Sequence, residues 1–113
     1  MTIDIRQEAD RVIVRLAGSV QLLDAEELAA QADALLTGPA RHIIFDLSAL
    51  EFIGSAGLAA LLRIHHALKG RDGSVRLVSP RPLIAELLRL TRVSELIPIL
   101  ASLETARQAV ASP

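Results

Sequence analysis

Short runs of alternating or continuous apolar residues take turns along the chain with longer stretches in which apolar residues recur every third or fourth position. Ile3, Ile5 and then Val12-Ile13-Val14-Arg15-Leu16, broken by Glu8-Ala9-Asp10-Arg11, predict two strands joined by a turn. Asp24 followed by Glu27 predicts a capping box, with Leu23 stapled onto Leu28, at the start of a helix that runs to about Leu36 and ends at Thr37-Gly38-Pro39. His42-Ile43-Ile44-Phe45-Asp46-Leu47 is nearly continuous, as expected of a central strand covered on both faces. After a connection from Ser48 to Gly54, Leu58, Leu61, Leu62, Ile64, His65 and Leu68 keep helical spacing up to Gly70-Arg71-Asp72-Gly73. Ser74 to Val78 predicts another strand, Ser79-Pro80 opens a helix to about Thr91, Ile97 to Leu100 predicts a short strand, and Ser102 caps a last helix.

The resulting order, ββαβαβαβα, demands crossover connections between most strands. It therefore predicts an α/β fold: a mixed, mostly parallel sheet with an antiparallel N-terminal edge, flanked by about four helices. The expectation is one domain over residues 1–113, without repeat, linker or low-complexity segment.

Composition narrows the function. Half of the residues are apolar but only Phe45 and Phe52 are aromatic, so the core must be aliphatic. The net charge of −1, with acids and bases interspersed, gives no footprint for nucleic acid or an anionic membrane. Without cysteine there is no disulfide, zinc knuckle or thiol nucleophile. The first residues alternate charged and apolar types and lack a secretory apolar region, and no apolar stretch approaches the roughly 20 residues of a membrane span. A soluble, cytoplasmic protein with no direct membrane insertion is expected.

The chemistry concentrates at Phe52-Ile53-Gly54-Ser55-Ala56-Gly57-Leu58, between the central strand and the helix that follows, where open α/β sheets usually carry function. Ser55 is expected at the N-cap or in the first turn, where unpaired N–H groups and the helix dipole favour negative charge. Structurally, that is a serine cap with Gly54 and Gly57 easing the turn. At 100° per residue, however, Leu58, Leu61, Leu62, Ile64 and Leu68 share one arc and leave Ala56, Ala59, Ala60, Arg63, His66 and Ala67 on the other. An alanine-rich face either lies beneath another element or is kept flat for a partner, and its position beside Ser55 favours the partner. A phosphate on Ser55 would bring repulsion and desolvation into an interface built there.

Enzyme templates fit poorly. Ile53 stands where a nucleophile elbow requires glycine, and neither a Walker A run nor G-x-G-x-x-G occurs. No catalytic residue, metal site or cofactor is expected. His65 is expected as a hydrogen-bonded core histidine and His66 points elsewhere; Asp46 and Glu51 are expected as turn or cap formers, and Arg89 and Arg92 as complements to a helix dipole.

Three segments together resemble the STAS family: Leu16-Ala17-Gly18 leading into a helix; Phe45-Asp46-Leu47-Ser48 with Phe52-Ile53-Gly54-Ser55-Ala56-Gly57-Leu58; and Leu90-Thr91 with Leu96-Ile97-Pro98-Ile99. The resemblance is to the anti-sigma factor antagonist type. It implies a mixed sheet flanked by helices, an anti-sigma factor that is also a serine-protein kinase as partner, Ser55 as the phosphorylated serine, and a serine phosphatase that resets the switch. It also implies a partner-binding surface on Gln21, Leu22, Gly54, Ser55, Ala56, Ala59, Ala60 and Arg63. The chain departs from the family pattern where Gly54 replaces an aspartate, Ala56 a second serine, Gln21 an acid and Arg92 a glycine. The alternative that the resemblance implies is a non-phosphorylated scaffold or accessory subunit, in a signalling complex or a lipid-transport ABC system.

Overall fold

The structure is a computed structural model that describes residues 1–9 and 11–111. Its elements are β1 (Thr2–Glu8), β2 (Arg11–Val20), α1 (Leu22–Leu36), β3 (His42–Ile53), α2 (Ser55–Lys69), β4 (Ser74–Val78), α3 (Pro82–Leu90), α4 (Val93–Leu96), β5 (Ile99–Leu100) and α5 (Leu103–Ala111). The hairpin forms as predicted and turns through Ala9 at φ +55°; Asp10 of the predicted turn lies outside the described residues. Strand order is β1-β2-β3-β4-β5, antiparallel at the first pair and parallel thereafter, so β3 is the central strand.

Side chains on one sheet face, Val12, Val14 and Leu16 of β2, Ile43, Phe45 and Leu47 of β3, and Val75 and Leu77 of β4, pack with Leu28 of α1, Leu61, Ile64 and Leu68 of α2, and Ile84 and Leu88 of α3. The opposite face is smaller: Ile13, Ile44 and Val78 meet Ala106, Leu100 and Leu103 under α5. The prediction that β3 is covered on both faces holds at Ile44 but not at Asp46, which is half-buried.

Two boundaries move for identifiable reasons. β3 continues to Ile53 instead of ending at Leu47, because its pairing with β2 slips twice: Arg15 to Ala17 spans Asp46 to Ala49, and Gly18 to Ser19 spans Leu50 to Phe52. The slips convert the strand's period of two into buried residues three apart, Leu47, Leu50 and Ile53. Asp46 Oδ1 accepts the Ser48 N–H at 3.0 Å and Arg81 Nε donates to the Ser48 carbonyl at 3.0 Å, satisfying the first bulge. α1 begins at Leu22, not after Asp24. Asp24 is its third residue and accepts the Gln21 N–H at 3.0 Å; Leu23, 77% exposed, makes no staple.

The C-terminal third also differs. α3 starts at Pro82 rather than Ser79-Pro80, with Ser79 at φ +55°. Among the described residues five helices replace four, because Arg92 adopts the left-handed conformation (φ +64°) and forms the N-cap of α4 instead of complementing the dipole of α3. Arg89 does lie in the last turn of α3, paired with Glu86. β5 is confined to Ile99–Leu100, and Ser102 caps α5 as expected, its Oγ accepting the Thr105 N–H at 3.2 Å.

At the end of the sheet where β3 and β4 begin, a β-carbon on Gly73 would lie 2.0 Å from the Arg41 carbonyl oxygen, so only glycine lets the chain enter β4. Arg71 donates to the Leu36 carbonyl and Arg41 Nη1 to the Arg71 carbonyl at 2.9 Å, tying the loops of that end together.

Candidate functional site

At the opposite end, Gly54 is the N-cap of α2 and Ser55 its first residue. The Gly54 N–H donates to the Val20 carbonyl at 2.9 Å, and Gln21, the next residue, is the N-cap of α1. Two helix N-termini are thereby held side by side. Gly57 makes the approach possible: a β-carbon there would lie 2.7 Å from Ile53 Cγ1 and 2.8 Å from Val20 Cγ1. Leu58 N–H closes the first helical bond to the Gly54 carbonyl at 3.1 Å, and the first turn of α2 carries no acid. Ser55 is exposed at an end where backbone amides point outward.

α1 and α2 border a groove of about 270 Å³ lined by Leu22, Ala25, Glu26, Ala29, Ala56, Ala59, Ala60 and Arg63. Ala25 and Ala60 in its lining are buried, in the same apolar cluster as Leu28 and Ala32 of α1 and Leu61 and Ile64 of α2. Of the eight residues predicted for partner binding, Gln21, Leu22, Ser55, Ala59 and Arg63 are exposed, Gly54 and Ala56 are half-buried, and all lie on α1, α2 or their caps. Ala60 is 6% exposed and lines the groove as one of its buried members. Leu62, predicted on the buried arc, is half-buried.

Sequence reasoning did not select two residues of this surface. Leu23, expected in a staple, projects into solvent beside Leu22, which is 65% exposed; Phe52, expected in a connection, is 42% exposed next to Gly54, its Cε2 3.8 Å from where a β-carbon would stand. The available signal was a pair of adjacent leucines at the mouth of a helix, of which one staple to Leu28 could occupy only one.

His65 differs from expectation. It is half-buried, and its Nδ1 is buried with no hydrogen-bond partner among the described residues. Burial holds its pKa below the ordinary value, and His66 and Lys69 push in the same direction. The two imidazoles lie 5.4 Å apart and tilted, and among the described residues no group of three metal-ligating side chains converges. Asp46 has the expected turn role at the β3 bulge, whereas Glu51 is an exposed strand residue. No helix of the described residues is long and apolar enough to cross a membrane.

Comparison with known proteins fits this geometry. Residues 2–106 match the STAS domain family. BtrV of Bordetella bronchiseptica, which bears the name of an anti-sigma factor antagonist, is 30% identical over 98 residues, 87% of this chain and 84% of BtrV. An anti-sigma factor antagonist from Mycobacterium paratuberculosis superposes with a TM-score of 0.88 at 26% identity, covering 96% of this chain and 92% of that one. The antagonist SpoIIAA shares the fold at 21% identity in both its forms. The unphosphorylated form has a TM-score of 0.86 and covers 99% of this chain and 98% of its own. For the phosphorylated Bacillus form the values are 0.77, 96% and 99%. The protein described by this hairpin-edged sheet and paired helix mouth belongs to the STAS domain family, anti-sigma factor antagonist type.

Proposed function

We propose that this chain is a binding module, not an enzyme, that sequesters an anti-sigma factor with serine-protein kinase activity and releases it when Ser55 is phosphorylated. The observation that carries the reading is the exposed Ser55 at the first position of α2, beside an apolar groove between the N-termini of α1 and α2. Leu22, Leu23 and Phe52 supply the large apolar contacts, and the alanines of the groove let a partner helix or loop approach the backbone. A phosphate at Ser55 is tolerated by the amides and dipole of its own helix but places about two negative charges at the rim of the interface. SpoIIAA is described in both unphosphorylated and phosphorylated forms, which supports the same chemistry here. A serine phosphatase would complete the cycle, in a cytoplasmic setting.

A second reading, a constitutive scaffold or accessory subunit, draws on Gly54, Ala56 and Gln21, where the family pattern carries Asp, Ser and an acid. The decisive experiment incubates the protein with its candidate kinase and ATP, then follows intact mass, site mapping and complex size. One phosphate on Ser55 with loss of the complex supports the switch, and Ser55→Asp should then fail to bind while Ser55→Ala binds constitutively. A stable complex without modification favours the scaffold.

A further inference from the structure

We propose that β1 is a self-association edge, through which two copies of this chain pair antiparallel about a twofold axis at Ile5 and fuse their sheets. β1 stands first in the strand order and, among the described residues, pairs only with β2, so its outer edge offers unpaired backbone groups. The strand is seven residues long with no proline or glycine to blunt it.

The side chains specify what covers that edge. In an antiparallel pair about a twofold axis, residues equally distant from the centre face each other, and facing residues point to the same side of the sheet. The centre must therefore fall on a residue. Centred on Ile5, Asp4 faces Arg6 of the second copy and Arg6 faces its Asp4, while Ile3 faces Gln7 and Thr2 faces Glu8. Centring on Asp4 or Arg6 instead stacks like charges, Asp4 on Asp4, or Arg6 on Arg6 with Asp4 on Glu8. The sequence of the strand is thus complementary to itself in one register.

The rest of the sheet agrees with that register. Asp46, Arg15 and Asp4 form a row across β3, β2 and β1 that alternates in sign and stops at the edge on an acid; the neighbouring row, through Ile44 and Ile13, stops at the edge on Arg6. The twofold axis at Ile5 brings the end of each row against the end of the other and continues the alternation. Ile5 is 38% exposed on the face that carries α1, α2 and α3, paired with the buried Val14, and a second Ile5 beside it removes the exposed apolar surface of each from water. Val14 is six residues from Val20, about 20 Å along the strand, which leaves the Ser55 groove of each copy open.

The test is sedimentation equilibrium of the purified chain, with circular dichroism to verify the fold of each variant. The wild-type chain is expected to dimerise, and Asp4→Arg or Arg6→Asp to weaken dimerisation at least about tenfold, since two attractive contacts become repulsive. Mixing the two single variants should restore a mixed dimer, and the double charge exchange should restore self-association. A wild-type chain that stays monomeric over the accessible concentration range overturns the proposal, as does a dimer indifferent to these charges. Failure of a single variant to fold leaves the double exchange as the deciding measurement.

Discussion

The Val20 carbonyl accepts the Gly54 N–H at 2.9 Å, and this bond makes neighbours of the starts of α1 and α2, separated by more than thirty residues of sequence. Gly57 permits the contact by presenting no side chain to Val20 and Ile53. Gly57→Ala should shift the first turn of α2 and destabilise the fold by about 1–3 kcal/mol, the usual cost of overpacking. Urea unfolding measures that cost, and binding of the proposed partner should weaken in parallel.

Gly54 behaves differently. A β-carbon there meets nothing nearer than 3.7 Å, and its φ of −85° suits any residue. Gly54→Asp should therefore stabilise α2 by a few tenths of a kcal/mol through capping, read as a small rise in melting temperature. The same carboxylate beside Ser55 should raise the second pKa of a Ser55 phosphate, measured by phosphorus NMR, relative to the wild-type phosphoprotein.

Arg92 holds φ +64° with an exposed side chain. Replacing it by glycine removes the steric cost of the left-handed conformation and should raise stability by about 0.5–1 kcal/mol after the entropy of the unfolded glycine is deducted. A melting temperature unchanged or lowered would refute this account of the α3–α4 junction.

Glu8 receives hydrogen bonds from Arg107 Nε at 3.0 Å and Nη2 at 2.7 Å, which fasten α5 to the hairpin and hold the Glu8 pKa below the ordinary 4.5. The folded state therefore binds fewer protons at Glu8 than the unfolded chain. The contribution is complete above pH 4.5 and is lost as pH falls through the lowered folded value. Glu8→Gln should reduce this acid dependence and speed amide exchange in α5 already at neutral pH.

His65 titrates below its ordinary 6.5, so stability should fall as pH drops from 6.5 toward the folded value, the unfolded chain taking up the proton first. His65→Leu removes a buried nitrogen without a partner; it should stabilise the protein by about 1 kcal/mol and flatten the pH profile in that window. An unchanged profile would place the titration elsewhere.

The antiparallel N-terminal edge, the central position of β3 and the mouth of α2 were legible in the sequence because apolar period and turn residues agree there. The second half of β3 was not, since two bulges replace alternation with a spacing of three, a pattern that reads as loop or helix. The start of α1 was misplaced for a related reason: Asp24 suits the N-cap and the third helical position equally well, and the contact that decides between them, the Gln21 N–H, is backbone. The candidate surface was located through Ser55 and its alanines. Ala60 could not be told from Ala59 without knowing where α1 lies, and Phe52 could not be placed while its segment read as connection.

The two ends of β3 are built under opposite constraints. Around Gly73 the chain is held backbone against backbone, with Arg41 and Arg71 bracing the loops, so few substitutions are compatible with folding. Around Ser55 the joint is one backbone hydrogen bond and a glycine, and the rim residues Leu22, Leu23, Ala59 and Arg63 lie outside the packed core. Sequence drift should therefore collect at the rim without loss of the fold, giving related chains a means to diverge in partner choice while the opposite pole stays fixed.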